Sequence, residues 1–394
     1  MLIFVKNSIK LKHYNYIFSG SGLSALMTVY KMILSEKFQD KSILLIDSNL
    51  KKTNDRTWCF WEKPNHQWEK IVSKKWKNAL FVNEGSNKNL VFFPYEYNMI
   101  RGLDFYNLVF ELIEKQKNIT FVKEKIISFQ DNSSLVKVFC ENESYSCNKL
   151  FNSIYDKPDV ESQTKYPVLQ QHFVGWFVKS DQEIFNPEMA TFMDFSLQQN
   201  GNTKFMYVLP TSKTEALLEP TLFSHKLLKL EEYEIAIKNY AQKLGILNYE
   251  IVEKEYGSIP MTCYPFWKNN TKNILNIGTA GGWTKASTGF TFYHTNKKTD
   301  ELIRFITLNN SKSIDFSKFH KKTKFWLYDL IFLDVLDKQN YLGSKVFSSL
   351  LMKGNPELIF KFLNEETNFL EDLQVMLKCP KILFIKAFFR VVFK

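Results

Sequence analysis

Cysteine is scarce in this chain and never paired. Cys59, Cys140, Cys147, Cys263 and Cys379 are scattered over 394 residues, with no C-x-x-C among them. An odd, dispersed set argues against a disulfide framework or a zinc-thiolate centre and points to reduced thiols in a cytoplasmic protein. The six histidines show no ligand spacing, so no metal is expected. No run of about 18 apolar residues occurs, and nothing is expected to span a bilayer. The opening MLIFVKNSIKLK is too short and too charged to read as a signal peptide. Acidic residues number 41 against 52 basic ones, which leaves a net charge of +11. No Lys/Arg cluster resembling a nucleic-acid-binding arm accompanies the excess, so nucleic acid is set aside as a partner. An anionic membrane surface and a merely Lys-rich composition both remain open.

Aromatic residues, by contrast, are plentiful. They make up 16% of the chain, and 36 residues are phenylalanine. That surplus suits a large core together with a large apolar ligand or an acyl-chain interface. The length allows two domains or one composite.

The chain is organised around Tyr14–Asp47. Tyr14–Phe18 reads as a short buried strand. Ser19, Gly20, Ser21 and Gly22 form a small-residue turn, and Leu23, Leu26, Met27 and Tyr30 then repeat at helical spacing. Ser42–Asp47 is a second apolar run that ends in a carboxylate. Strand, glycine turn, helix, strand and acid make the dinucleotide-binding arrangement. Gly20 permits the sharp turn, Gly22 lets backbone N–H groups approach a pyrophosphate, and the helix N-terminus faces that anion. Ala25 keeps helix and strand close, and Asp47 is placed to accept hydrogen bonds from a ribose.

Beyond it, KKTNDRTWCFWE turns from polar to aromatic. Arg56 reads as a phosphate contact and Trp58 as a ring contact, or both belong to a surface loop. Asp104 is a plausible N-cap for the helix after RGLDFY. Strands follow at Ile119–Val122, Ile126–Phe129, Leu135–Cys140 and Leu150–Tyr155, and Pro158 marks a polar crossing. Phe173–Val178, Thr191–Phe195, Lys204–Leu209 and Thr214–Glu219 read as an antiparallel sheet facing a substrate. Glu231–Leu244 is an amphipathic helix closed by Gly245. NILNIGTAGGWTKASTG repeats the opening style, so Gly278, Gly281 and Gly282 are expected to meet the nucleotide from the other side. From Thr299 the chain reads as helical. Its last segment sets Lys386, Arg390 and Lys394 against Phe384, Phe388, Val391 and Val392, the pattern of a helix resting at a bilayer surface or else of a core-packed terminal helix.

Taken in order, YNYIFSGSGLSAL with LLID, NDRTWCFWE, RGLDFY, QQHFVGWFV, FMDF, FMYVLP, ALLEPTLFS, IPM and IGTAGGWTKASTGFTF resemble the lycopene β-cyclases of bacteria and plants, especially their flavobacterial branch. The resemblance covers nearly the whole chain. It implies an α/β fold with an FAD-binding Rossmann domain of the two-dinucleotide type over 12–165 and 270–300. An antiparallel-sheet substrate domain is then expected over 166–269, and a helical region in contact with the membrane over 301–394. It also implies reduced FAD, NAD(P)H as electron source, and lycopene or a related acyclic carotene as substrate. The product would be an isomer, β-carotene by way of γ-carotene, made by a cytoplasmic enzyme held peripherally at the inner membrane.

The chemistry calls for an acid able to protonate an alkene, and burial beside apolar surface keeps a carboxyl neutral for that task. Glu219 in ALLEPT matches the first Glu of the family's signature, whereas Pro220 replaces the second acid. Asp194 in FMDF is a second candidate carboxylate in the same sheet region. FLNEET near the end imitates the signature, but its setting assigns Glu365 and Glu366 to a solvated helix face. Two rivals share the fold, a flavin-dependent monooxygenase and an isoprenoid reductase. Gly278-Thr279 stands where hydroxylases of that type carry Gly-Asp. A rival of another class is a non-catalytic isoprenoid-binding escort protein.

Overall fold

A computed structural model describes residues 11–83, 85–309 and 314–393. Most of the charged N-terminal stretch, and Lys394, lie outside them. Among the described residues the strands form three sheets.

The first sheet grows from the opening motif. Lys12–Ser19 lies parallel to Ile43–Asp47 on one side and Ser144–Asn152 on the other. Ile119–Lys123 extends it beyond Ile43–Asp47, and Ile274–Asn276 joins Ser144–Asn152, all in parallel. Ile126–Asp131 and Val136–Cys140 add an antiparallel pair. Parallel strands covered on both faces read as continuous apolar runs, and ILLID does so. The helix Leu23–Leu34 is buried along nearly its whole length because Phe292–Leu308 packs over it. Lys31 on that helix reaches Asp300 at 2.6 Å and the Asn296 carbonyl at 2.8 Å.

The second sheet runs in the order Tyr249–Met261, Leu169–Ser180, Glu215–Ser224, Thr203–Pro210, Met189–Asp194, Asn78–Asn83 and Ser86–Val91. The period of two sorts its residues onto opposite faces. Met206, Val208, Ala216 and Leu218 face the helix Leu230–Lys243 through Tyr233 and Ile237. Phe205, Tyr207, Leu217 and Phe223 face the other way, into an aromatic core shared with Phe192, Phe347 and Phe360. Thr57–Glu62, Glu96–Arg101 and Val72–Trp76 make the small third sheet. Five helices, from Lys324–Gln339 to Lys381–Val392, close over the aromatic core.

Several expectations need correction. Thr57–Glu62 is a strand, where a loop was expected, because Glu96–Arg101 supplies its hydrogen-bonding partner. Asp104 lies inside the first turn of Gly102–Glu114, whose N-cap is Arg101. Residues 78–83 and 86–91, counted with the first unit, lie at the edge of the second sheet. Tyr249–Met261 is a 13-residue strand that the charged run Glu253–Glu255 hid. Glu365 departs from the expected solvated face, while Glu366 is exposed as expected. Glu365 bonds the buried Lys285 ammonium at 3.1 Å, and Glu366 accepts from the Tyr293 hydroxyl. Lys285 also lies 3.0 Å from Asp329. Burial opposes the charge on Glu365, but the nearby Lys285 ammonium outweighs it and brings that carboxyl down to about 2.

Lys285 thus ties the second glycine turn to the helix Lys324–Gln339 and to the turn that follows Pro356–Leu363. Lys285→Met leaves Asp329 and Glu365 without their counter-charge, and a loss of about 3–5 kcal/mol in urea unfolding is expected. A loss near that of an exposed ion pair, about 1 kcal/mol or less, would contradict this assignment.

Candidate active site

A cavity of about 580 Å³ runs from the first glycine turn to the inner face of the second sheet. Gly22, Leu23 and Thr279 stand at one end, and Glu219 and Glu255 at the other. Between them Trp58, Tyr97, Phe290 and Phe292 form aromatic walls.

Strand register explains how the carboxyl groups meet. Glu219 pairs across from Tyr207, and Glu255 from Gly175. The pairing of Trp176 with Leu218 and of Phe173 with Thr221 brings Gly175 opposite Glu219. Tyr207, Glu219, Gly175 and Glu255 therefore form one row across three strand boundaries. Gly175 has no side chain to separate its neighbours. A Cβ there would stand 2.8 Å from Leu217 Cδ1 and 3.0 Å from Glu255 Cγ. The two glutamates hydrogen-bond across that gap.

Their environments differ. Glu255 is 4% exposed. It accepts from the Thr57 hydroxyl at 2.7 Å, and Arg101 donates to that same hydroxyl at 3.1 Å. Arg101 is itself held by Glu253 at 2.5 Å and lies over the Phe177 ring. Glu219 has one such support, the Thr221 hydroxyl at 3.1 Å. Burial, then the negative charge of Glu255, pushes the Glu219 carboxyl well above its usual range. Burial also raises Glu255, but Thr57 and Arg101 oppose the rise. Like charges this close do not both ionise readily, so the pair retains a proton and Glu219 is its holder.

At the far end the residues fit a dinucleotide. Gly20 adopts a left-handed φ of +93°, and a Cβ there would meet Ser153 Oγ at 2.3 Å. The position of a Gly22 Cβ is open space. The helix Leu23–Leu34 begins without a side-chain cap or a first-turn acid, so its N–H groups are free for an anion. Lys51, Arg56 and Lys157 add positive charge around the same cavity. Asp47 ends its strand with Oδ2 accepting from the Ser21 N–H at 2.6 Å and the Ser21 hydroxyl at 2.9 Å. Ser19 is buried and donates to Asn152 at 2.8 Å, and Ala25 is packed in the core, so both shape the turn from behind.

Asp194, Gly278, Gly281 and Gly282, all expected at the site, do not line the cavity. Asp194 is not at the cavity. It is buried behind the sheet, where it accepts from the Tyr240 hydroxyl and the Ser196 N–H, each at 2.7 Å. Its oxygens anchor a helix and a turn, which removes it as a candidate catalytic group. Gly281 and Gly282 turn away from the cavity. Gly281 packs against the Asn276 carbonyl, and Gly282 takes φ +67° beside Phe266. Gly278 lies against Ser24, where a Cβ would approach within 2.5 Å of the hydroxyl oxygen, and Thr279 is the residue of that turn that reaches the cavity. Glu255 was missed from sequence. The available signal was the glycine in VGWFV, a position in a strand interior where a neighbouring side chain needs room.

A model of the lycopene cyclase protein family matches residues 16–389. The chain belongs to the lycopene cyclase family. Members of that family act in carotenoid chemistry, and the chain is accordingly an enzyme. No curated protein sequence matches it. Among solved structures it is similar to a geranylgeranyl bacteriochlorophyll reductase-like protein from Thermoplasma acidophilum. The TM-score is 0.61 at 10% identity over 97% of this chain and 100% of that one. A flavoprotein/dehydrogenase from Cytophaga hutchinsonii gives 0.60 at 8% identity, over 95% and 98% of the two chains. A variant of halogenase PltM in complex with FAD gives 0.55 at 13%, over 88% and 78%. At such identities the likeness concerns the fold, an α/β architecture of the Rossmann type.

The carboxyl pair makes a prediction about stability that needs no substrate. Glu219 binds its proton more tightly folded than unfolded. Between its unfolded and folded pKa the native state therefore holds the extra proton, and stability falls as pH rises. Glu219→Gln removes that loss. Its thermal midpoint is expected to exceed that of the unsubstituted protein at alkaline pH, with the gap closing in acid. A gap independent of pH would contradict the assignment of the proton to Glu219.

Proposed function

We propose that the protein is a lycopene β-cyclase that joins carbon to carbon without net oxidation or reduction. The observation that carries this reading is the proton-holding Glu219 beside Glu255, in an aromatic-walled cavity that reaches the glycine turn. FAD is the expected cofactor, held by the free N–H groups around Gly22 and Leu23, by Asp47 at the ribose, and by Thr279 from the second turn. When bound in its reduced form it supplies electron density that stabilises positive charge, with NAD(P)H as the source of electrons. On this reading 12–165 and 270–300 make the nucleotide-binding part, less the strands lent to the second sheet, and 166–269 the substrate part.

Glu219 donates its proton to the terminal alkene of an acyclic end group. A tertiary cation forms, the neighbouring alkene attacks it, and one new carbon–carbon bond closes the ring. The Glu219 carboxylate then takes a proton from the carbon beside the second cation, and a ring alkene results. One proton is lent and one returned, and no electron changes hands. Trp58, Tyr97, Phe290 and Phe292 present π faces to the cation and keep out water, which would trap it as an alcohol. Glu255 contributes negative charge at the same place. The full sequence runs from lycopene through γ-carotene to β-carotene, at the cytoplasmic face of a membrane that supplies the substrate.

Expression in a lycopene-accumulating bacterium with pigment analysis tests substrate and ring type together. Glu219→Gln is expected to reduce cyclisation roughly 10²–10⁴-fold, with flavin content unchanged. Retained β-carotene formation by stable protein would remove Glu219 from the mechanism. Product mass separates the rivals: a cyclase leaves it unchanged, a monooxygenase adds oxygen and a reductase adds hydrogen.

The pH profile tests the second carboxylate. Glu219 must be protonated to act, so the rate falls as pH rises through its elevated pKa. Glu255→Gln removes the like charge that helps raise it, and the alkaline limb is expected to move to lower pH. An unmoved limb would show that Glu255 does not act on Glu219.

A further inference from the structure

A second cavity of about 590 Å³ lies between the inner face of the second sheet and the closing helices. Ile331, Phe332, Val346 and Leu350 are among its walls, and the lining is almost wholly hydrocarbon. Tyr207 and Phe290 line both this chamber and the cavity that holds Glu219. At its opposite end the walls are Leu373, Leu377, Ile385 and Phe389, which are also exposed at the protein surface. An apolar path thus leads from the surface to the carboxyl pair.

The surface around that end is itself apolar. Phe369, Leu370 and Ile382 extend it, at 64%, 70% and 73% exposure. It differs from the stripe expected from sequence. Phe384 and Val391 turn inward, and Arg390 is drawn onto Asp334 at 2.8 Å, so the apolar face is carried by Ile382, Ile385, Phe388 and Phe389. Four lysines, Lys345, Lys353, Lys378 and Lys381, line an adjoining depression next to Leu377. No helix among the described residues is long and apolar enough to cross a membrane. An exposed apolar face beside lysines is the composition that seats a helix among anionic lipid headgroups.

We propose that this chamber binds the chain of a long acyclic isoprenoid hydrocarbon. The chain is drawn from an anionic bilayer past the terminal helices and presented end-first to Glu219 between Tyr207 and Phe290. Volume supports the division. Cavities of about 300–1,000 Å³ each hold one drug-sized molecule. The cavity with Glu219 must accommodate part of a dinucleotide as well as an end group, so the rest of a long chain needs separate apolar space. The cyclase reading supplies the identity of the end group, and the proposal rests on it to that extent.

The test uses the full chain carrying Glu219→Gln, so that uptake is read without turnover. It is mixed with phosphatidylcholine–phosphatidylglycerol vesicles that contain lycopene. Protein is then freed from vesicles, and bound lycopene is read from its absorbance. Adding Leu350→Trp or Ile331→Trp to fill the chamber is expected to lower uptake about tenfold or more. Ile385→Asp, at an exposed position, is expected to lower vesicle-bound protein by a similar factor with the thermal midpoint unchanged. Smaller losses in variants whose midpoint is preserved, or no uptake by the Glu219→Gln protein, would overturn the proposal. Uptake by Glu219→Gln together with no cyclisation by the unsubstituted protein would overturn the cyclase reading and leave the chamber assignment standing.

Discussion

Two carboxyl groups that hydrogen-bond across a glycine set the terms for the rest of this molecule. A buried pair of like charges is unfavourable, and it persists only where protonation and hydrogen bonds offset the cost. The offset comes from strands far apart in sequence. Thr57 and Arg101 face each other in the third sheet and reach Glu255 from outside the second. The DRTWCFWE and RGLDFY segments thereby acquire a common purpose: they supply the support that allows one glutamate to stay charged while its neighbour keeps a proton.

The aromatic surplus has two destinations. One set, with Phe92, Phe192 and Phe360, stacks into a rigid core under the closing helices. The other lines cavities. Phe290 serves both, because it contacts Trp61 edge-on in the core and also forms part of the wall between the two chambers. Rigid packing behind a cavity wall keeps that wall in place, which matters for any reaction in which a cation must be shielded from water.

Much of this was legible in sequence. The opening strand, glycine turn, helix and acid fold as their pattern dictates, since local backbone geometry and buried periodicity agree there. The strands of the second sheet follow from their alternation, and Glu219 stands out by its apolar neighbours and the family signature. What escaped depended on long-range pairing. Glu255 sits in the charged run Glu253–Glu255 of its strand, and only its register opposite Gly175 brings it to Glu219. Asp194 shares its sheet region with Glu219 in sequence, but its strand turns the carboxylate toward Tyr240. Glu365 resembled a surface residue because Lys285, 80 positions earlier, is invisible to any local window.

The loan of Asn78–Asn83 and Ser86–Val91 to the second sheet has a mechanical outcome. The chain leaves the nucleotide-binding sheet early, stitches itself to the far edge of the other, and returns before crossing again. Two bodies sewn together at several seams resist swinging apart like a clamshell. Traffic into such an interior has to pass through a fixed doorway, and the rate of passage is then governed by small movements of individual side chains and short terminal helices.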